Sequence, residues 1–156
     1  MTPSDLLILN FEEIRRRSTK IWKAISADCY SWRPDVGAMT LQEMVRHVLE
    51  GEHLYHVIME RGGVIGDYIS PWTDRPLGTI REEIEFAEPF RKEFLDAVHG
   101  FRSEELETVD IDRHDIGQKS KLGKYLLKTA YHEAVHTGQI LSYLRTLGVN
   151  RPVIWD

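Results

Sequence analysis

Four stretches of this chain repeat apolar residues at the period of an α-helix. In the first, from Ser4 to Ala27, Leu7, Phe11, Ile14, Ser18, Ile21 and Ile25 fall on one stripe. Leu6 and Trp22 widen that stripe, and charged residues fill the opposite face. Asp28 and then Pro34 end the helix. The connector from Cys29 to Met39 carries Tyr30 and Trp32. Aromatic rings in a loop gain by burial, so this loop is expected to fold back over the end of the bundle.

The second stretch begins at Thr40-Leu41-Gln42-Glu43, a capping box in which the threonine accepts from first-turn amides and the glutamate reaches back. It runs to Arg61 and stops at Gly62-Gly63. Its main stripe is Leu41, Met44, Val45, Val48, Tyr55 and Met59. His47 shares an adjoining inward stripe with Met44, Gly51, Leu54 and Ile58. At about 100° per residue, His53 is about 120° and His56 about 180° away from His47. Both are therefore expected on the surface or behind the inward histidine.

A linker from Gly63 to Gly78 follows. Loops longer than about 12–15 residues are uncommon in compact domains and are often functional. This one would let the chain cross to the far end of a bundle. Tyr68 and Trp72 would either line a pocket mouth or plug the core. The third stretch opens at another capping box, Thr79-Ile80-Arg81-Glu82, and turns Ile80, Ile84, Ala87, Phe94 and Val98 inward. Pro89 predicts a kink or a restart, and Gly100 an end. The polar segment from Phe101 to Ser120 would hold a small hairpin or wander over the bundle's open end.

The fourth stretch runs from Lys121 to Leu147 and stops at Gly148. Tyr125, Thr129, His132, His136, Gln139 or Ile140, Tyr143 and Leu147 recur at the helical period, so the expected packing face includes both histidines. The tail to Asp156 is apolar enough to pack on the protein or on a partner. With no convincing strand pattern, the fold class is all-α: one domain over residues 1–156, a four-helix bundle with a long crossover between the second and third helices.

Composition narrows the function. The net charge is −5, which argues against a protein that grips phosphate backbones. Arg15-Arg16-Arg17 is the nearest thing to a basic run, and with Glu12 and Glu13 before it the expectation is a solvated helix face. A lone cysteine, Cys29, rules out an internal disulfide and fits a reducing cytoplasm. No signal peptide or membrane-spanning segment is visible. The expectation is a cytoplasmic protein that meets small molecules, with no nucleic acid and no membrane as partner.

The chemistry concentrates in His132 and His136. Four residues are about 400° of helix, so both imidazoles project from one face, one turn apart. That geometry suits a single metal ion. His132-Glu133-Ala134-Val135-His136 also matches the His-Glu-x-x-His pattern of zinc proteases. No third protease ligand follows at the usual spacing, however, and an all-helical domain has no strand to hold an extended peptide. His47, inward on another helix, is the better third ligand. Three imidazoles leave coordination positions open, as a catalytic metal needs, and suit zinc, nickel or iron(II).

The order Trp32-x-Pro34, then Met39-Thr40-Leu41-Gln42-Glu43-Met44-Val45-Arg46-His47, then His132-x3-His136-x-Gly138-Gln139-Ile140-x2-Tyr143-Leu144-Arg145-x2-Gly148 resembles the DinB (DinB/YfiT-like) superfamily along the whole chain. The resemblance implies a four-helix bundle with a long second crossover. It implies a divalent-metal triad at His47, His132 and His136, and often a homodimer. Better understood relatives transfer low-molecular-weight thiols such as bacillithiol or mycothiol, which would make this a thiol S-transferase acting on an electrophilic small molecule. Gln139, Glu43 and Glu50 would orient the ligands from behind. The competing expectations are a metal-dependent hydrolase on the same triad and a non-catalytic bundle that binds a metal or ligand.

Overall fold

Threonine capping boxes open three of the long helices. Thr40 and Thr79 accept from the amides of Glu43 and Glu82, and each glutamate returns to the threonine's own amide at 2.7 Å. Thr2 and Asp5 repeat the device at the start of the chain. The computed structural model describes residues 1–155. Its helices are α1 (Pro3–Lys23), α2 (Leu41–Glu60), α3 (Ile80–Gly100), the short α4 (Ser103–Thr108) and α5 (Leu122–Thr146). The polar segment before α5 resolves into a hairpin of β1 (Asp110–Arg113) and β2 (Gln118–Lys121), antiparallel, with Ile111 opposite Ser120. None of the described helices is long and apolar enough to cross a membrane.

The four long helices make an all-α bundle in which α2 and α3 run parallel. Gln42 of α2 donates to the Gly78 carbonyl, and Arg46 reaches the carbonyls of Arg75 and Pro76, so the start of α3 lies beside the start of α2. The linker therefore travels the length of the bundle, as its size implied. At the other end the C-terminus of α2 turns through Gly62 and Gly63, with φ of 63° and 117°. Gly63 is obligatory there, since a Cβ would lie 2.2 Å from the Asp112 carbonyl oxygen. The hairpin docks on this turn through the Asp112 amide, which donates to Gly62 O at 2.9 Å.

The core is two apolar clusters. One gathers Ile21, Trp22, Met44, Val48, Ile140 and Leu144, and the other Phe11, Ile58, Phe94, Leu122 and Leu126. At the boundary each of the four long helices contributes polar groups. Arg15 and Ser18 come from α1, Glu52 from α2, Arg91 from α3, and Glu133 and Thr137 from α5. Arg15 binds Glu133 and Glu52, Arg91 binds Glu52, and the hydroxyls of Ser18 and Thr137 are 2.7 Å apart. Two guanidiniums and two carboxylates thus neutralise one another between the clusters, which is how buried charge is tolerated.

This layer corrects two expectations. Arg15 is not part of a solvated face but is largely buried, with its neighbours Arg16 and Arg17 turned outward. The packing face of α5 is Tyr125, Leu126, Thr129, Ala130, Glu133, Thr137, Ile140 and Leu144, with Glu133 and Thr137 in place of His132 and His136. A glutamate and a threonine are buried here because Arg15 and Ser18 meet them.

Among smaller features the connector follows the sequence reading, while Pro89 and His56 depart from it. The 27–39 connector folds back, with the Leu41 amide donating to Trp32 O and the Trp32 ring edge-on to Tyr143 at 5.4 Å. In the tail Ile154 is buried while Trp155 is 88% exposed. α3 continues through Pro89, which lies on the solvent side where water can satisfy the carbonyl it leaves free. His56 is buried rather than superficial, its ring 5.7 Å from that of Phe94.

Candidate metal centre

His47 lies on α2, and His132 and His136 on α5, where these two antiparallel helices pass. The four-residue spacing on α5 brings its two rings together edge to face, with centroids 4.5 Å apart. The His47 ring stands across from both, 5.0 Å from His132 and 4.7 Å from His136. One ring nitrogen from each can be chosen so that all three lie within 4.8 Å of one another. The Nε2 atoms of His47 and His132 are 3.1 Å apart. This is a seam on the surface of the bundle and not a core pocket. His132 and His136 are half-buried and His47 keeps an exposed edge. The expectation of inward histidines is corrected by the rotation of α5 that buries Glu133.

The electrostatics disfavour a proton on two of the imidazoles, His132 and His47. Partial burial, then the neighbouring His136 and His47, push His132 down to about 4 from an ordinary 6.5. Burial, and after it His136, lowers His47 as well. Neutral imidazole is the form that ligates a metal. On His136 the side-chain oxygen of Gln139 lies 2.6 Å from Nδ1. An amide oxygen only accepts, so Nδ1 carries the proton and Nε2 keeps its lone pair. The site residues thus present three imidazole nitrogens as donors, with the His136 tautomer fixed by Gln139. That donor set fits a divalent zinc, nickel or iron ion.

Gly51 was missed as a site residue. It follows His47 by one turn, and a Cβ there would lie 3.1 Å from Cε1 of His132. The missing side chain makes room for the ligand ring. A glycine in a helix interior, which is otherwise unfavourable, was the available signal. Tyr55, another turn on, packs edge-on against His132 at 5.4 Å and closes the lower side of the seam.

Gln139 lies against His136 through its side-chain oxygen. Glu50 accepts from the Ser70 hydroxyl and so ties α2 to the linker, while its charge raises His47 slightly against burial. Glu43 is spent on the Thr40 capping box at the exposed helix start and orients no ligand. Tyr68 and Trp72 lie on another seam, between α2 and α3, because the linker joins those two helices. Their rings are 5.9 and 6.1 Å from that of His53. Trp72 is a plug, packed on Phe86 and Phe90 with its Nε1 3.3 Å from Glu83. Nor does the protease reading survive, since both Glu133 oxygens are taken by Arg15 at 2.9 Å.

A family model described as the DinB superfamily matches residues 10–140. The uncharacterized protein YjoA of Bacillus subtilis is 25% identical over 95% of this chain and 93% of its own length. The crystal structure of that DinB-like protein superposes with a TM-score of 0.73 at 22% identity, covering 96% of each chain. A DinB-like protein from Bacillus cereus superposes with a TM-score of 0.75 at 15% identity, over 96% of this chain and 95% of its own. These two likenesses are likenesses of fold.

Proposed function

Since the chain belongs to the DinB superfamily, we propose that it holds one divalent metal ion on His47, His132 and His136 and transfers a low-molecular-weight thiol to an electrophilic small molecule. The observation that carries this reading is the convergence of three imidazoles from two helices, with Nε2 of His47 and His132 3.1 Å apart. Two lone pairs so close repel unless a proton or a cation lies between them. A divalent metal in that place supplies Lewis acidity, which favours thiolate, the competent nucleophile, over thiol at neutral pH.

The chain's own residues do the rest. Gln139 holds His136 in the ligating tautomer. Partial burial keeps His47 and His132 from being protonated near neutrality. The exposed edge of His47 leaves the centre open to a ligand from solvent. In the transfer itself the thiol proton passes to solvent. Sulfur forms the new bond to carbon, and the leaving group departs with its bonding pair.

The test is metal content of untagged protein, wild type beside His47→Ala and His136→Ala, followed by a conjugation assay with a thiol and an aryl chloride. We expect close to one equivalent of metal in the wild type, and loss in both variants with helicity retained. Full occupancy in either variant would sink the triad. A metal-loaded protein that accelerates no thiol conjugation would sink the transferase.

A further inference from the structure

The hairpin does not merely cap the bundle. Between it and the first half of α5 lies a groove of about 690 Å³, within the range of about 300–1,000 Å³ typical of small-molecule sites. Its apolar floor includes Ile111 and Tyr125, and Tyr131 stands exposed on its rim. Arg113, Lys119, Lys124 and Lys128 line it, and no carboxylate does among the described residues, in a protein of net charge −5. Arg113 is paired with Asp115, and Lys119 with Asp110 and Asp112. Lys124 and Lys128 have no carboxylate partner among the described residues. Lys128 meets the neutral side-chain oxygen of Gln118, at 3.0 Å, and the ring of Tyr55, at 5.9 Å.

The position of these two lysines matters more than their number. On α5 Lys128 precedes His132 by four residues and Lys124 by eight, so they lie about 40° and 80° round the helix from it, at about 6 and 12 Å along the axis. Tyr55 touches both regions, with its ring against His132 on one side and under Lys128 on the other. The groove and the histidine seam are therefore neighbours on one surface. We propose that the groove binds the carboxylate-bearing part of the small thiol whose sulfur sits at the histidine centre, with Lys124 and Lys128 as its anion contacts. This rests on the metal-dependent reading above and names the substrate class it takes: an acidic thiol.

Two measurements on the full chain separate the groove from the metal. In the first, succinate is titrated into the metal-free, nitrogen-15-labelled protein. Saturable amide shifts should be confined to Gln118, Lys124, Lys128 and Tyr131, and Lys124→Gln with Lys128→Gln should weaken them about tenfold, the scale of a lost charge-assisted hydrogen bond. In the second, mercaptosuccinate and 2-mercaptoethanol bind the zinc-loaded protein in a calorimeter. The dicarboxylate thiol should bind about tenfold more tightly, and the double variant should erase the difference at unchanged zinc content. Absent or scattered succinate shifts would overturn the proposal whatever the metal does, as would equal affinities for the two thiols. Localised succinate shifts in a protein that takes up no zinc when zinc is added would overturn the metal-dependent reading, and with it the groove's role as a substrate arm.

Discussion

Glu133, although its sequence neighbour His132 belongs to the candidate centre, gives both carboxylate oxygens to Arg15 of α1 at 2.9 Å. That pair decides which face of α5 turns inward, and so which face carries the histidines. Removing the carboxylate leaves two buried guanidiniums sharing Glu52. Glu133→Ala should therefore cost about 3 kcal/mol of stability, the lower end for breaking a buried pair because Glu52 remains. Urea unfolding would show it as a lower midpoint at an unchanged slope. A loss within about 0.5 kcal/mol, the ordinary range for surface substitutions, would mean that the pair does not hold α5.

Gly51→Ala should separate stability from metal binding. Alanine in a helix interior is favoured over glycine by about 0.5–1 kcal/mol, so the metal-free protein should melt higher. The new methyl at 3.1 Å from His132 must push the ring aside by a few tenths of an ångström, and metal affinity should fall about tenfold. Thermal melts beside a chelator competition read both quantities. Unchanged affinity would show that the ring has room to yield.

Gln139→Ala removes the acceptor on His136 Nδ1 and should lower metal affinity by about 10–100-fold, the usual effect of losing an outer partner of a ligating histidine. Gln139→Glu retains an acceptor and should recover most of it. If both variants bind alike, the hydrogen bond does not set the tautomer.

Acid should weaken the metal-free fold through His132. Its folded value of about 4 lies below the ordinary 6.5, so the unfolded chain binds more protons between those limits. Stability is complete above about 6.5 and declines as the pH falls toward about 4. His132→Gln should flatten that part of the curve, as measured by urea midpoints across the interval. Glu133 adds a separate acid loss at lower pH. Burial pushes its carboxyl up, but Arg15 beside it prevails and holds it below the ordinary value.

Much of this architecture is legible in the sequence because it depends on local chemistry. Thr40 and Glu43, or Thr79 and Glu82, announce a helix start within four residues, and Gly62-Gly63 announces an end. The length of the linker permits the parallel α2–α3 pair, and the four-residue spacing of His132 and His136 puts them on one face. The missing parts depend on partners distant in sequence. Nothing local marks Glu133 and Thr137 as buried; Arg15 and Ser18, more than a hundred positions earlier, are what hold them inside. Nothing local marks Glu83 either, and it is fully buried beneath Arg46, Trp72 and the Gly78 amide. Glu43 offered a cap and a ligand-orienting role at once, and the cap, being local, took it.

The charged layer between the two apolar clusters acts on the bundle as a key acts in a keyway. Sliding any one of α1, α2, α3 or α5 by a turn would drive an arginine or a glutamate into hydrocarbon and strand its counter-charge. Apolar clusters alone tolerate such slips, because one leucine replaces another at little loss. A quartet drawn from four helices admits a single axial alignment. Glu52 adjoins Gly51 and Glu133 adjoins His132, so the same alignment sets how far His47 stands from its two counterparts. A centre assembled from two helices thus takes its spacing from groups that never touch it.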